Sequence, residues 1–331
     1  MADDAYVILT GAKNNAGDFL IRHRAIGVLG RTRPDRKLVK LDAWKPCGAK
    51  ELEAINTSRA LLLVGGPSLQ KDMHPRIYPL TSDLDRIKVP IIMMGVGWKS
   101  ESGTWPHSRD YRFTRDSLRL INRVAESGHL SSVRDYHSEN VLRHHGMTNV
   151  VTTGCPALFA DESERAAERP ATIRSVGFSL GVSFLDSKRM RDQMRDIILK
   201  VRDQLAAPRF VVAFHHSLAD GFLATHGASN DHLTRHREFA RWLTEQGIEY
   251  ADISGSAERM IDFYSQIDLH IGYRVHAHIL MTSLSKNSIL LAEDGRGIAL
   301  KDVIGKSVID AIEKIDVSKA SKVCFALRSM Y

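Results

Sequence analysis

Arg274 and His276 stand two residues apart in IGYRVHAHIL, where an apolar strand-like run gives way to a helical pattern. A guanidinium and an imidazole at such a junction point to an anion. Arginine grips a carboxylate or phosphate with a planar fork, and histidine titrates near neutral pH. His276 and His278 are about 200° apart on a helix, so they take different faces. His276 is nearer the strand end and is expected to face a ligand; His278 is expected to pack or to be partly exposed. Asp294 and Arg296 follow the next apolar run, SILLAE. In a parallel sheet they would stand beside Arg274. Two arginines, a histidine and an acid at one sheet edge suit a small substrate with two negative groups.

Other chemistry-bearing residues also fall just after strand-like runs. Arg134 and Asp135 close SVRD, either as an anion clamp or as an ion pair that fixes the strand end. GAKNNAGD (11–18) opens the first helix; Asn15 and Asp18 either hydrogen-bond a ligand at the helix N-terminus or cap the helix. Its spacing fits neither a Walker loop nor GxGxxG. VGGPSL (64–69), with Gly66, and MGVGW (94–98) are glycine turns that let backbone approach a ligand closely. FHHS (214–217) carries two histidines pointing opposite ways by strand alternation. His216 is expected to face the ligand, with Asp220 orienting it. His232 and His236, spaced i, i+4, would suit two metal ligands. The sequence offers no matching third, so no metal is expected.

The elements that must position these residues follow from composition and pattern. The chain has 331 residues, 43% apolar and 26% charged, which fits a two-domain globular protein. Short runs rich in Val, Ile and Leu alternate with helical stretches: YVILTG, KLVKLDA, RALLLVGG, VPIIMMGVG, HLSSVRD and NVVTTGCP, then RSVGFSLG, RFVVAFHHS, IEYADIS, LHIGY and SILLAE. Continuous rather than alternating apolar strands imply a parallel sheet covered on both faces. The polar stretch at 160–174 reads as a linker. The expectation is therefore α/β, with two Rossmann-like doubly wound domains at 1–165 and 170–331, the second ending in closing helices over 307–331. If strand ends of both domains line one cleft, ligands bind there.

The three cysteines, Cys47, Cys155 and Cys324, are far apart and form no CxxC pair, which excludes a disulfide framework or a cysteine zinc site. The N-terminus lacks signal-peptide regions and no apolar run spans a bilayer, so a cytoplasmic protein is expected. Net charge is +7, densest over residues 22–40. That patch is either a solvated surface or a docking site for anionic lipid or a phosphorylated substrate. There is no RNA-binding signature and no aromatic interleaving, so nucleic acid is not expected.

Taken together, GAKNNAGD, VGGPSL, GVGWK, SVRDYHSENVLRHHG and the block IGYRVHAHILMTSLSKNSILLAEDGRG resemble the polysaccharide pyruvyl transferase family over most of the chain. The resemblance implies a GT-B-like fold. It implies transfer of the enolpyruvyl group of phosphoenolpyruvate to two sugar hydroxyls, giving a cyclic ketal and phosphate. Arg274 and His276 match the family's Arg-x-His motif, and Arg134 matches the arginine late in the first domain. The sequence departs from the pattern at Cys155-Pro156, where many members carry Asp-Pro. Catalysis is thus expected of His276, Arg274 and Arg134, with Asn15, Asp18, Gly66, His216, Asp294 and Arg296 binding substrate. The scheme needs no cofactor and no metal. The acceptor would be a polysaccharide or lipid-linked sugar, with residues 22–40 docking at the inner membrane face. Two other functions use the same residues: a GT-B glycosyltransferase holding a nucleotide sugar, or a non-catalytic member holding a glycan or anion.

Overall fold

Apolar runs without polar alternation form strands buried on both faces. The structure is a computed structural model that describes residues 4–166, 168, 171–221, 230–305 and 307–312. By contacts the chain divides into two compact units, 1–12 with 21–159 and 13–20 with 160–331. Every strand pair within them is parallel.

The first unit holds β1 (Ala5–Thr10), β2 (Lys37–Asp42), β3 (Ala60–Val64) and β4 (Ile91–Met94) in the order β2-β1-β3-β4, and a separate pair, β5 (Ser131–Val133) and β6 (Val150–Thr152). β3, ALLLV, is buried at every position, as a central strand must be. Each of its leucines contributes about 1.5–3 kcal/mol by leaving water. β2, KLVKLD, is the edge: Lys37 and Lys40 are exposed and blunt it against pairing with another chain. The helices α1 (Ala16–Thr32), α2 (Ala49–Asn56), α3 (Trp105–Asp110), α4 (Arg115–Ala125) and α5 (Tyr136–His144) connect the strands. α4 shows how its pattern is read: Thr114 caps it by accepting from Ser117 N–H at 3.3 Å, and Leu120, Ile121 and Val124 form its buried stripe.

The second unit holds β7 (Ser175–Ser179), α6 (Lys188–Leu205), β8 (Arg209–Phe214), α7 (Asn230–Glu245), β9 (Glu249–Asp252), α8 (Ala257–Ser265), β10 (Leu269–Gly272), α9 (Val275–Ser283), β11 (Asn287–Ala292), α10 (Gly295–Ala299), α11 (Lys301–Ile304) and β12 (Val308–Asp310). Its six described strands run β12-β11-β10-β7-β8-β9. From β7 the chain steps outward through β8 and β9, then returns to β10 on the other side of β7. The crevice beyond the carboxyl ends of β7 and β10 is therefore the switch point, where doubly wound sheets bind ligands. α6 packs on the sheet through Met190, Met194, Ile197, Ile198 and Val201, which share a core with Phe178, Phe184, Phe214 and Phe239. Ser187 caps it, and Ala206 ends it at φ 43°.

Two sequence readings change. Within 307–331, residues Val308–Asp310 are a strand, not a helix: Leu290 to Ala292 accept them in parallel register as an edge strand. The remainder, 313–331, lies outside the described residues. Residues 13–20, read as part of the N-terminal half, group with the second unit because Asn14 and Ala16 bond to its loops.

Candidate anion-binding site

The loop before α1 is fastened to the strand ends of the second unit. Ser217 N–H donates to Asn14 Oδ1 (3.0 Å), Gly255 N–H to the Asn14 carbonyl (2.8 Å) and Ala16 N–H to the His215 carbonyl (3.1 Å). Asn15 then caps α1: its Oδ1 accepts from Gly17 N–H, and its Nδ2 donates to Asp18 Oδ2, both at 3.2 Å. Asn15 thus does the capping and Asp18 is held in place by it. A β-carbon on Gly17 would fall 2.4 Å from His276 Nδ1, 2.7 Å from its Cγ and 2.9 Å from its Cβ. The imidazole of His276 therefore rests on the bare backbone of Gly17.

Arg274 is the N-cap residue of α9, directly after β10. Gly272, at φ 150°, lets β10 approach β7 so closely that a β-carbon there would lie 2.4 Å from the Ser179 carbonyl oxygen. Sheet register sets Gly272 beside Ser179 and His270 beside Ser288. Arg274 N–H donates to Ser179 Oγ (3.0 Å). From Ser179 a buried chain of hydrogen bonds continues to His270 Nε2 (2.8 Å), from His270 Nδ1 to Ser288 Oγ (2.8 Å), and from Ser288 Oγ to His278 Nδ1 (2.7 Å). Burial holds His270 well below the usual imidazole range and pushes His278 down to about 4, so both are neutral at pH 7. His278 is fully buried.

The charged groups converge around Arg274. Burial and, next, the facing charge of Arg296 push its guanidinium down to about 10, against the pull of Glu293, Tyr264 and Asp18. It stays charged at pH 7. Among the described residues its Nε has no hydrogen-bond partner and it makes no ion pair. Arg296 is matched locally: Nε and Nη2 reach Asp294 Oδ2 at 2.9 and 2.5 Å, while Asp294 also accepts Arg296 N–H at 2.9 Å. Glu293 accepts from Val182 N–H (2.9 Å), Ser183 N–H (3.0 Å) and Ser183 Oγ–H (2.6 Å), which folds the loop after β7 onto the site. Asp18 is raised to about 6 by burial, which outweighs the Asn15 hydrogen bond and the charges of Arg296 and Arg274. The arrangement offers an uncommitted guanidinium, an adjacent imidazole and a carboxyl that exchanges protons near neutrality.

Arg274, His276, Asn15, Asp18, Asp294 and Arg296 thus share one corner of the second unit. Three other expected site residues do not display a ligand role. Arg134, in the first unit, is 1% exposed; its Nε donates to Asp135 Oδ2 (3.2 Å) and its guanidinium covers Gly97. Of the two roles open to it, the geometry is that of the strand-end pair. Gly66, also in the first unit, sits at φ 71° and its carbonyl accepts Gly97 N–H (2.8 Å), a turn requirement. His216 turns toward α7, against the rings of His232 and His236. Asp220 does not orient it: that carboxylate is exposed and takes Arg237 at 2.8 Å. The basic stretch is partly spent within the fold, with Arg24 buried, Arg33 paired to Asp35 and Arg36 to Asp4. No described helix is long and apolar enough to cross a membrane.

Sequence reasoning missed Asn14, Ser179, His270, Ser288 and Glu293. Glu293 carried a signal, as the acidic last residue of an apolar run. The others signal nothing until register is known.

The family profile described as polysaccharide pyruvyl transferase matches residues 15–295. No curated protein matches the sequence. In fold the chain is similar to UDP-GlcNAc 2-epimerase from Methanocaldococcus jannaschii, at 9% identity and TM-score 0.53 over 97% of this chain and 91% of that one. It is also similar to MnaA of S. aureus in a co-structure with UDP, at 13% identity and TM-score 0.53 over 97% and 87%. The epimerase from Neisseria meningitidis bound to UDP-GlcNAc aligns at 10% identity and TM-score 0.50 over 98% and 91%. These likenesses establish the architecture as GT-B-like.

Proposed function

We propose that this chain, which belongs to the polysaccharide pyruvyl transferase family and is a transferase, moves the enolpyruvyl group of phosphoenolpyruvate onto two hydroxyls of a saccharide acceptor, forming a pyruvate ketal and releasing phosphate. The observation that carries the reading is Arg274: a partly buried cation without an ion pair among the described residues, beside His276 and within reach of Asp18. A donor bearing both carboxylate and phosphate is the natural occupant.

The steps balance with these groups alone. A proton adds to the methylene carbon and C2 becomes cationic. The first hydroxyl attacks C2 and loses its proton to a base. Phosphate departs with its bonding pair, the second hydroxyl closes the ring, and its proton is released. One hydroxyl proton replaces that given to the methyl group; the other leaves with phosphate. Arg274 holds the donor's charge. His276 serves as the acid or as donor to the departing phosphate. Asp18, raised to about 6, takes and returns protons on the acceptor side.

Two measurements test this. Phosphoenolpyruvate should raise the melting temperature of the protein, and phosphate release should require both phosphoenolpyruvate and a saccharide acceptor. Stabilisation by UDP-sugars with none by phosphoenolpyruvate would replace the reading with glycosyl transfer.

A further inference from the structure

Fifteen histidines invite a metal search, and sequence spacing yields only the pair His232 and His236. The fold supplies a third. His216 leaves the end of β8 and meets that pair on α7, so that one nitrogen of each ring lies within 4.8 Å of the others. We propose that His216, His232 and His236 bind a zinc-class divalent cation through three imidazole nitrogens, with the fourth position open to water or an anionic oxygen. This departs from the expectation that the chain has no metal site. It does not depend on the pyruvyl-transfer reading.

The geometry is close to that required. Nitrogens around tetrahedral zinc at about 2.0–2.1 Å stand roughly 3.3 Å apart, so small side-chain rotations close the gap. His232 and His236 lie one turn apart with rings stacked at 4.5 Å and 6°. His236 Nδ1 bonds the His232 carbonyl at 2.9 Å. That contact fixes the ring orientation and assigns Nε2 the metal-facing role, as the outer hydrogen bond of a ligating histidine does.

The segment bearing His216 is held on both sides. Ser217 N–H donates to Asn14 Oδ1 at 3.0 Å and Leu218 N–H to Asp252 Oδ2 at 2.8 Å. Arg237, next to His236, donates to the Leu218 carbonyl (2.9 Å) and to Asp220 (2.8 Å), which ties that segment to α7 beside the cluster. Imidazole donors favour zinc, copper, nickel or iron over magnesium and calcium, which seek oxygen. The competing role is purely aromatic: His236 also packs edge-on to Phe184 at 5.3 Å.

The test uses the full chain, stripped by a chelator and titrated with zinc against a chromogenic competitor. The expected result is one tight site per chain, weakened more than about 100-fold in His216→Gln and in His232→Gln, since even losing a ligand's outer partner costs up to that much. X-ray absorption of the zinc-loaded wild type, which needs no variant to fold, should report three imidazoles. An unchanged affinity in both variants, no uptake at micromolar zinc, or fewer than three imidazoles would overturn the assignment.

Discussion

Gly17→Ala perturbs His276 without changing that residue itself, by setting a β-carbon against its ring. The added β-carbon would stand 2.4 Å from Nδ1, about 1 Å inside ordinary contact. Rotating the ring alone does not clear it, because Cγ and Cβ of His276 are themselves at 2.7 and 2.9 Å. The histidine side chain, or the first turn of α1, must shift by about 1 Å. A displacement of that size at a reacting group costs roughly 100-fold in turnover. Stability points the other way: inside a helix alanine is preferred to glycine by about 0.5–1 kcal/mol, which offsets part of the crowding. The informative pair of measurements is therefore kcat from phosphate release and the urea midpoint of unfolding. The expected outcome is a kcat reduced about 100-fold with a midpoint that moves little. A variant that keeps near-normal kcat would refute the placement of His276 at the chemistry. A large loss of stability with proportionate loss of activity would refute the local account.

Arg274→Lys keeps the charge but removes the fork; losing a charge-assisted contact of about 1.5–3 kcal/mol should raise KM for phosphoenolpyruvate roughly 10- to 150-fold in steady-state assays. Asp18 is raised to about 6 by burial, so the native state holds its proton more tightly than the unfolded chain. The contribution is present below about pH 4 and is lost as pH rises through 6. The full shift corresponds to about 3 kcal/mol and partial exposure reduces that to about 1–2. Urea midpoints at pH 4.5 and 7.5 should converge in Asp18→Asn, and the limb near pH 6 in kcat/KM should vanish. Ser179→Ala leaves Arg274 N–H and His270 without their shared partner; it should cost about 1–3 kcal/mol by chemical denaturation, a burial penalty that a surface serine would not show.

Much of the fold was legible because apolar runs and caps are local signals. RALLLVGG contains β3, and SILLAE covers β11 apart from its first residue, with no competing pattern; Ser187 is a cap residue at the start of α6. The strand at 308–310 was not legible: three residues give too short a period, and pairing with β11 decides their conformation. That Arg274, His276, Asp294 and Arg296 stand together was legible because parallel strands put their C-terminal loops side by side. Arg134 was ambiguous for a physical reason. A guanidinium after a strand serves equally as clamp or as partner to the next carboxylate, and only burial separates the two.

Ser179, His270 and Ser288, which escaped, share one property: their role depends on register. Ser288 is an ordinary strand serine until β10 and β11 align it with His270, and Ser179 is ordinary until Gly272 removes its own side chain opposite. His216 was named from the sequence, but the rings it meets lie sixteen and twenty residues away on another element. Local spacing finds ligands that one element presents; it misses sites assembled across elements. The site around Arg274 is such an assembly. Its cation stays available for an anion because neighbouring carboxylates are otherwise engaged: Asp294 by Arg296, Glu293 by three donors after β7, and Asp18 by its own retained proton below about pH 6. Electrostatic readiness there follows from how the acids are occupied, not from a surplus of arginines. On this account, freeing Glu293 by Ser183→Ala, which removes its 2.6 Å hydroxyl donor, should weaken phosphoenolpyruvate binding as Glu293 turns toward Arg274. Calorimetric titration that shows equal or tighter binding in that variant would refute it.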